Sequence, residues 1–184
     1  MDEPPLCVDL DGTLINGDTL HLSVGQLARQ APWLLALLPL VLLRGRPALK
    51  RFVALRYRPD PASLPWRTDV LAFLSEERAR GRRIYLATAA DRLIAESVVE
   101  HLGLFDGLIA TDHGRNVKGA AKAAEIRNVL QCNAFDYIGD SRADLPIFRA
   151  ARYSYLVCPT KEVREAAESY GNVKALFASQ GSRS

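Results

Sequence analysis

Short apolar runs alternate with amphipathic stretches along most of this chain, regularly enough to predict its elements. In RTDVLAFLSEERARG (67–81), Val70, Leu71, Phe73 and Leu74 fall on one side of a helix that ends near Gly81. RRIYLAT (82–88) reads as an apolar strand. DRLIAESVVEHLG (91–103) then reads as a helix capped by Asp91 and stopped at Gly103. GLIAT (107–111) predicts a strand, KGAAKAAEIRNVL (118–130) an alanine-rich helix, and FDYIGD (135–140) another strand. RADLPIFRAA (142–151) is a short helix, YSYLVCP (153–159) a last strand, and KEVREAAESYG a closing helix. SQGSRS (179–184) reads as a frayed tail. With PLCVDL at the start, the pattern gives five strands separated by helices.

Such an order implies right-handed crossovers and a parallel sheet covered on both faces, a three-layer α/β core of Rossmann-like type. Ligands in these sheets bind beyond the carboxyl ends of the strands. The core is assigned to residues 1–15 and 66–178. Between them, residues 16–65 replace one crossover with a probable helix at Thr19–Gln30, the apolar run Trp33–Leu43, RPALKRFVALRYR (46–58) and a proline-rich hinge, RPDPASLP. A connection this long is usually functional, and it is read as a small α-helical cap over the active end of the sheet.

Composition sharpens this in two places. The chain has 184 residues and a net charge of +3, which fits one globular domain and gives no case for nucleic-acid binding. The charge is unevenly placed. From Thr19 to Pro59 there is no Asp or Glu, while Arg29, Arg44, Arg46, Lys50, Arg51, Arg56 and Arg58 are all present. Cys7, Cys132 and Cys158 form no metal or disulfide spacing and read as reduced thiols; the acidic N-terminus is no secretory signal, and a cytoplasmic protein is expected. The apolar run is shorter than the about 20 residues a membrane span needs, so it can lie on a bilayer but not cross one. The simplest expectation is that Trp33, Leu34, Leu35, Leu37 and Leu38 form the cap's own core, with the arginines solvated. The alternative is an anionic, lipid-like partner.

The chemistry-bearing residues cluster just after the strands. Asp9-Leu10-Asp11-Gly12-Thr13 places two carboxylates on one side of an extended segment before a glycine turn. Thr88 ends the second strand, where its hydroxyl and the backbone at Ala89 suit a phosphoryl oxygen. Lys118 opens a helix, where a cation opposes the macrodipole and calls for an anionic partner. Gly139-Asp140-Ser141-Arg142-Ala143-Asp144 pairs two carboxylates in a pattern that suits a hard cation.

Taken in order, DLDGTL, the strand-ending Thr88, Lys118 and GDSRAD resemble the four motifs of the haloacid dehalogenase-like hydrolase superfamily. More narrowly, LRGRPALKR, FLSEERARGRR, LATAADR and GDSRADLP resemble the domain of that superfamily fused ahead of UbiA-type prenyltransferases. The resemblance implies a phosphomonoester hydrolase. Asp9 would be the nucleophile that forms an aspartyl-phosphate, and Asp11 the general acid and base. Thr88, Ala89 and Lys118 would hold the phosphoryl oxygens. Mg²⁺ would be bound by Asp9, the Asp11 carbonyl and Asp140, with Asp144 supporting. A divalent cation also answers the repulsion between three carboxylates and a phosphate dianion, and the absence of nearby histidine or thiolate ligands argues against zinc. An acid at Asp11 favours phosphate esters over carbon–halogen bonds, because an alkoxide needs a proton and a halide does not.

The expected substrate is a small or lipid-linked organic phosphate. Peripheral membrane or prenyltransferase association, a regulatory partner-binding role and phosphotransfer to an alcohol stay open, and the oligomeric state is not encoded. His21, Trp66 and Arg92 are further positions that suit substrate contact or structure equally well.

Overall fold

The computed structural model describes residues 3–111 and 117–178. The tail expected at 179–184 lies outside these residues. In chain order the core begins with β1 (Leu6–Val8). The cap follows: α1 (Thr19–Gln30), a 3-10 segment (Pro32–Leu37), α2 (Leu38–Leu42), α3 (Arg46–Ala54) and a 3-10 turn (Pro61–Ser63). The core resumes with α4 (Thr68–Ala79), β2 (Ile84–Asp91), α5 (Arg92–Leu102), β3 (Gly107–Thr111), α6 (Ala120–Leu130) and β4 (Asp136–Gly139). A 3-10 turn (Arg142–Asp144) leads to α7 (Leu145–Ala150), β5 (Ser154–Val157), α8 (Lys161–Glu168) and β6 (Val173–Phe177).

The six strands form one parallel sheet in the order β3-β2-β1-β4-β5-β6. The expected α/β core is therefore correct, with one strand more than the apolar runs predicted. β6 escapes a reading based on apolar runs because it is an edge strand whose residues alternate between half-buried and exposed, with Lys174 and Leu176 outward. β2 also runs past Thr88 to Asp91, through a register shift between Ala87 and Asp91.

Side chains alternate across the sheet as the pleat demands. Leu6, Val8, Ile84, Leu86 and Ile138 pack on one face against α4 and α5 through Val70, Leu74, Ile94 and Val98. Cys7, Ala87, Ile109, Tyr137 and Leu156 face the other way, onto Ile126 of α6, Ile147 and Phe148 of α7, and Val163 of α8. Local signals fix the helix ends. Asp91 accepts the Leu93 N–H at 3.0 Å, and Gly103 closes α5 with a left-handed φ of 61°.

The cap leaves and re-enters the core through a short stem. Ile15 pairs with Trp66, the Asn16 N–H donates to Pro65 O at 2.8 Å, and the Arg67 N–H donates to Leu14 O at 2.8 Å. Two contacts from α3 tie the cap down. The Lys50 ammonium donates to Ala89 O, and Arg51 pairs with the buried Asp91 at 3.1 Å. The apolar run does not form the cap's core as expected. No residue of Pro32–Leu42 is fully buried, and Trp33 is 70% exposed. The cap is one thin helical layer, so it buries Leu27, Val53 and Ala54, but among the described residues no second layer covers the outer face of the run.

Candidate active site

In this strand order the chain reverses direction across the sheet between β1 and β4, the place where doubly wound sheets leave a crevice. Asp9 follows β1 and Asp140 follows β4. A cavity of about 320 Å³ opens there, lined among others by Asp9, Asp11, Lys50, Lys118, Lys122 and Asp140. Asp9, Asp140 and Asp144 each bring a carboxylate oxygen to within 4.8 Å of the others. The Gly12 turn makes that approach feasible: its φ is +79°, and a Cβ there would collide with the Asp140 carboxylate. Thr13 Oγ1 donates to Asp140 Oδ1 at 3.1 Å and aims it.

Among the described residues, the cation in contact with Asp9 is Lys122. Its ammonium lies 3.0 Å from Asp9 Oδ1 and 3.5 Å from Asp144 Oδ1, with only 2% of the side chain exposed. It also donates to the Tyr137 hydroxyl at 2.8 Å, which in turn donates to Asp144 Oδ1 at 2.8 Å. The Ser141 backbone N–H and hydroxyl donate to Asp144 Oδ2 at 3.1 and 2.8 Å. Both oxygens of Asp144 are thus engaged by the protein, whereas Asp9 and Asp140 turn carboxylates into the cavity. Lys118, expected to hold phosphoryl oxygens, is exposed at the rim of the same cavity, one position before the Gly119 cap of α6.

The sequence did carry a signal for Lys122. Lys122, Ala123 and Ile126 form the buried stripe of α6, and a lysine on an apolar stripe requires an acidic partner. Tyr137 and Lys50 are other site neighbours that the motifs did not name, and Ser141 lies within GDSRAD but was given no role there. Of the remaining expected residues, Asp11 faces the cavity and accepts the Thr19 N–H of α1 at 2.7 Å, which ties it to the first helix of the cap. Ala89 lines the cavity, while Thr88 is fully buried beside it and accepts the Ala90 N–H at 3.0 Å. His21 lies on a second cavity, and Trp66 stacks on His101 in the stem region.

The electrostatics follow from this crowding. Burial pushes Asp9 up to about 7, with Asp144, Asp140 and Asp11 adding to the rise and Lys122 working against it. Burial and the neighbouring Asp144 push Asp140 up to about 6. Burial also raises Asp11, against the pull of the Thr19 N–H. For Lys122, burial opposes the charge, but Asp9 and Asp144 outweigh it and raise its pKa. Burial lowers Lys50. An all-oxygen donor set with two carboxylates resisting ionisation is the environment that a hard divalent cation relieves.

The model of one family, haloacid dehalogenase-like hydrolase, matches residues 6–149, which include β1, the cap, β4 and every residue just placed in the cavity. The chain belongs to that family. An uncharacterised protein of Sinorhizobium fredii, y4nM, is 40% identical over 154 residues, covering 83% of this chain. The match takes up 30% of that relative's length. Among solved structures, a Bordetella pertussis protein of unknown function superposes with a TM-score of 0.74 at 17% identity, over 96% of this chain and 99% of its own. A phospho-aspartyl intermediate analogue of phosphoserine phosphatase superposes with a TM-score of 0.62 at 15% identity, over 96% and 94%. The haloacid dehalogenase-like fold is thus shared with a phosphatase across nearly the whole chain.

Proposed function

We propose that this hydrolase is a Mg²⁺-dependent phosphomonoesterase working through an aspartyl-phosphate on Asp9. The observation that carries the reading is the convergence of Asp9 and Asp140 beside a buried Lys122, with Asp11 lining the same cavity. Asp9 and Asp140 would hold the cation together with the Asp11 backbone carbonyl. When bound, it supplies charge neutralisation for carboxylates and phosphate alike.

Asp9 Oδ attacks phosphorus and the ester P–O bond breaks. The proton of Asp11 goes to the departing alkoxide, so the leaving group departs as a neutral alcohol. Water then attacks the acyl phosphate at phosphorus, Asp11 takes its proton, and Asp9 is released as carboxylate with inorganic phosphate. Lys122 keeps Asp9 ionised and aimed, and Thr88, Ala89 and Lys118 complete the phosphoryl cradle. The phospho-aspartyl form named for the phosphoserine phosphatase neighbour supports the same route.

The leaving group would occupy the adjoining cavity of about 270 Å³, apolar on Leu20, Leu42, Leu49 and Ile94, with Arg46, Lys50 and Lys118 set among the carboxylates of Asp11, Asp18 and Asp91. That lining supports an organic phosphate, small or lipid-linked, with an apolar part. The test is hydrolysis of an aryl phosphate with Mg²⁺ and with EDTA, beside Asp9→Asn. Mg²⁺-dependent turnover lost in that variant is expected. Absence of turnover together with absence of Mg²⁺-dependent beryllofluoride binding overturns the reading.

A further inference from the structure

The apolar run of the cap is the largest feature that this chemistry leaves unused. The 3-10 segment packs on α1 and α2 packs on α3, with Leu34, Leu35, Leu38 and Val41 as the half-buried positions. Facing solvent are Trp33, Leu37, Leu40 and Leu43, at 70%, 42%, 65% and 83% exposure. All of residues 32–43 are apolar, so these and their exposed neighbours leave an apolar stripe along the outer side. The outer side of a surface helix is ordinarily polar. Here it is apolar over its whole length, and Arg29, Arg44 and Arg46 stand exposed at its ends. No acidic residue occurs between Thr19 and Pro59.

We propose that this face of the cap docks on an anionic lipid bilayer. Trp33, Leu37, Leu40 and Leu43 enter the boundary between headgroups and acyl chains, and Arg29, Arg44 and Arg46 lie on the headgroups. The charge pattern selects this occupant. A two-fold contact with a second copy sets the patch against itself and brings like-charged arginines together, whereas an anionic surface neutralises all of them. Among the described residues no helix is long and apolar enough to cross a membrane, so the contact is interfacial. Leu42 and Arg46, next to the stripe, also line the second cavity, so docking holds that cavity beside the lipid. The inference is independent of the phosphatase reading, because it rests on the outer face of the cap alone.

The experiment is flotation of the full chain with phosphatidylcholine vesicles and with vesicles that also contain phosphatidylglycerol. Binding is expected to the mixed vesicles, weakening in 1 M salt as the screening length falls from about 8 Å to about 3 Å. Leu40→Glu/Leu43→Glu should lower partitioning by at least about tenfold, since charge at an inserting position opposes burial. Both sites are exposed, so circular dichroism should be unchanged. Vesicle binding should shift tryptophan emission to the blue, and Trp33→Ala should abolish the shift. Failure to float with mixed vesicles, or equal flotation of the double variant, overturns the proposal. Equal binding to pure phosphatidylcholine overturns its anionic part. A concentration-dependent dimer that the double variant splits, without flotation, assigns the face to a second copy instead.

Discussion

Replacing Lys122 by Met keeps most of the side-chain volume and deletes one buried charge. In the native site that charge sits 3.0 Å from Asp9 and 3.5 Å from Asp144, and donates to Tyr137 at 2.8 Å. Breaking a buried ion pair from one side costs about 3–5 kcal/mol, because the partner is left charged and desolvated. For a chain of this size about 2–4 °C of melting temperature accompanies each kcal/mol, so Lys122→Met should melt roughly 6–20 °C lower in EDTA at pH 7.5. Asp9, already raised to about 7, can escape by taking a proton, so the deficit should shrink at pH 5.5. Lys118→Met removes an exposed charge, and its stability should stay within about 0.5 kcal/mol of the wild type. Thermal unfolding followed by circular dichroism measures both variants. Aryl phosphatase activity should fall by at least about a hundredfold in Lys122→Met, as when an electrostatic stabiliser of the reacting group is lost. A Lys122→Met protein that melts with the wild type, beside a Lys118→Met protein that does not, would falsify the assignment of Asp9's counter-charge.

Three further outcomes follow from the same geometry. Gly12→Ala combines a φ of +79° with a Cβ pressed into the Asp140 carboxylate, so it should cost about 1–2 kcal/mol and raise the Mg²⁺ requirement of turnover; wild-type Mg²⁺ dependence would contradict this. In EDTA, Asp9 and Asp140 bind protons more tightly folded than unfolded, so melting temperature should fall as pH rises from about 4, their ordinary value, towards 7. Mg²⁺ should therefore stabilise more at pH 7.5 than at 5.5, and a pH-independent increment in thermal shift would count against it. Asp136 behaves oppositely. Burial raises it, but Arg152 and Arg82 prevail and hold it low, so its contribution is complete above about 4 and is lost as pH falls below that. Asp136→Asn should flatten the acid limb of the stability curve, and an unchanged slope would refute the role.

Much of this was legible in the chain because the signals are local. The alternation of apolar strands and amphipathic helices depends on residues a few positions apart, and Asp91 and Gly103 end their elements through contacts within one turn. Asp9, Asp11 and Asp140 could be named because a strand end points its next residues at the crevice, whatever the distant packing. Gly12 belongs to the same class, since its turn follows directly from the first strand.

Tertiary structure decided the rest, and always where two distant segments had to meet. Lys118 and Lys122 are one helical turn apart, and either suits a motif. Only the start of α6 at Ala120 and its seat against Tyr137 place the second beside Asp9. The tie from Lys50 in α3 to Ala89 in β2 spans 39 residues and has no sequence pattern. The apolar run was equally ambiguous: its composition requires burial, but composition does not say against what. The thin cap provides a partner for one side only, and the outer stripe is left facing outward because, among the described residues, no second layer reaches it. Periodicity is set by neighbours along the chain, whereas partnership is set by the fold.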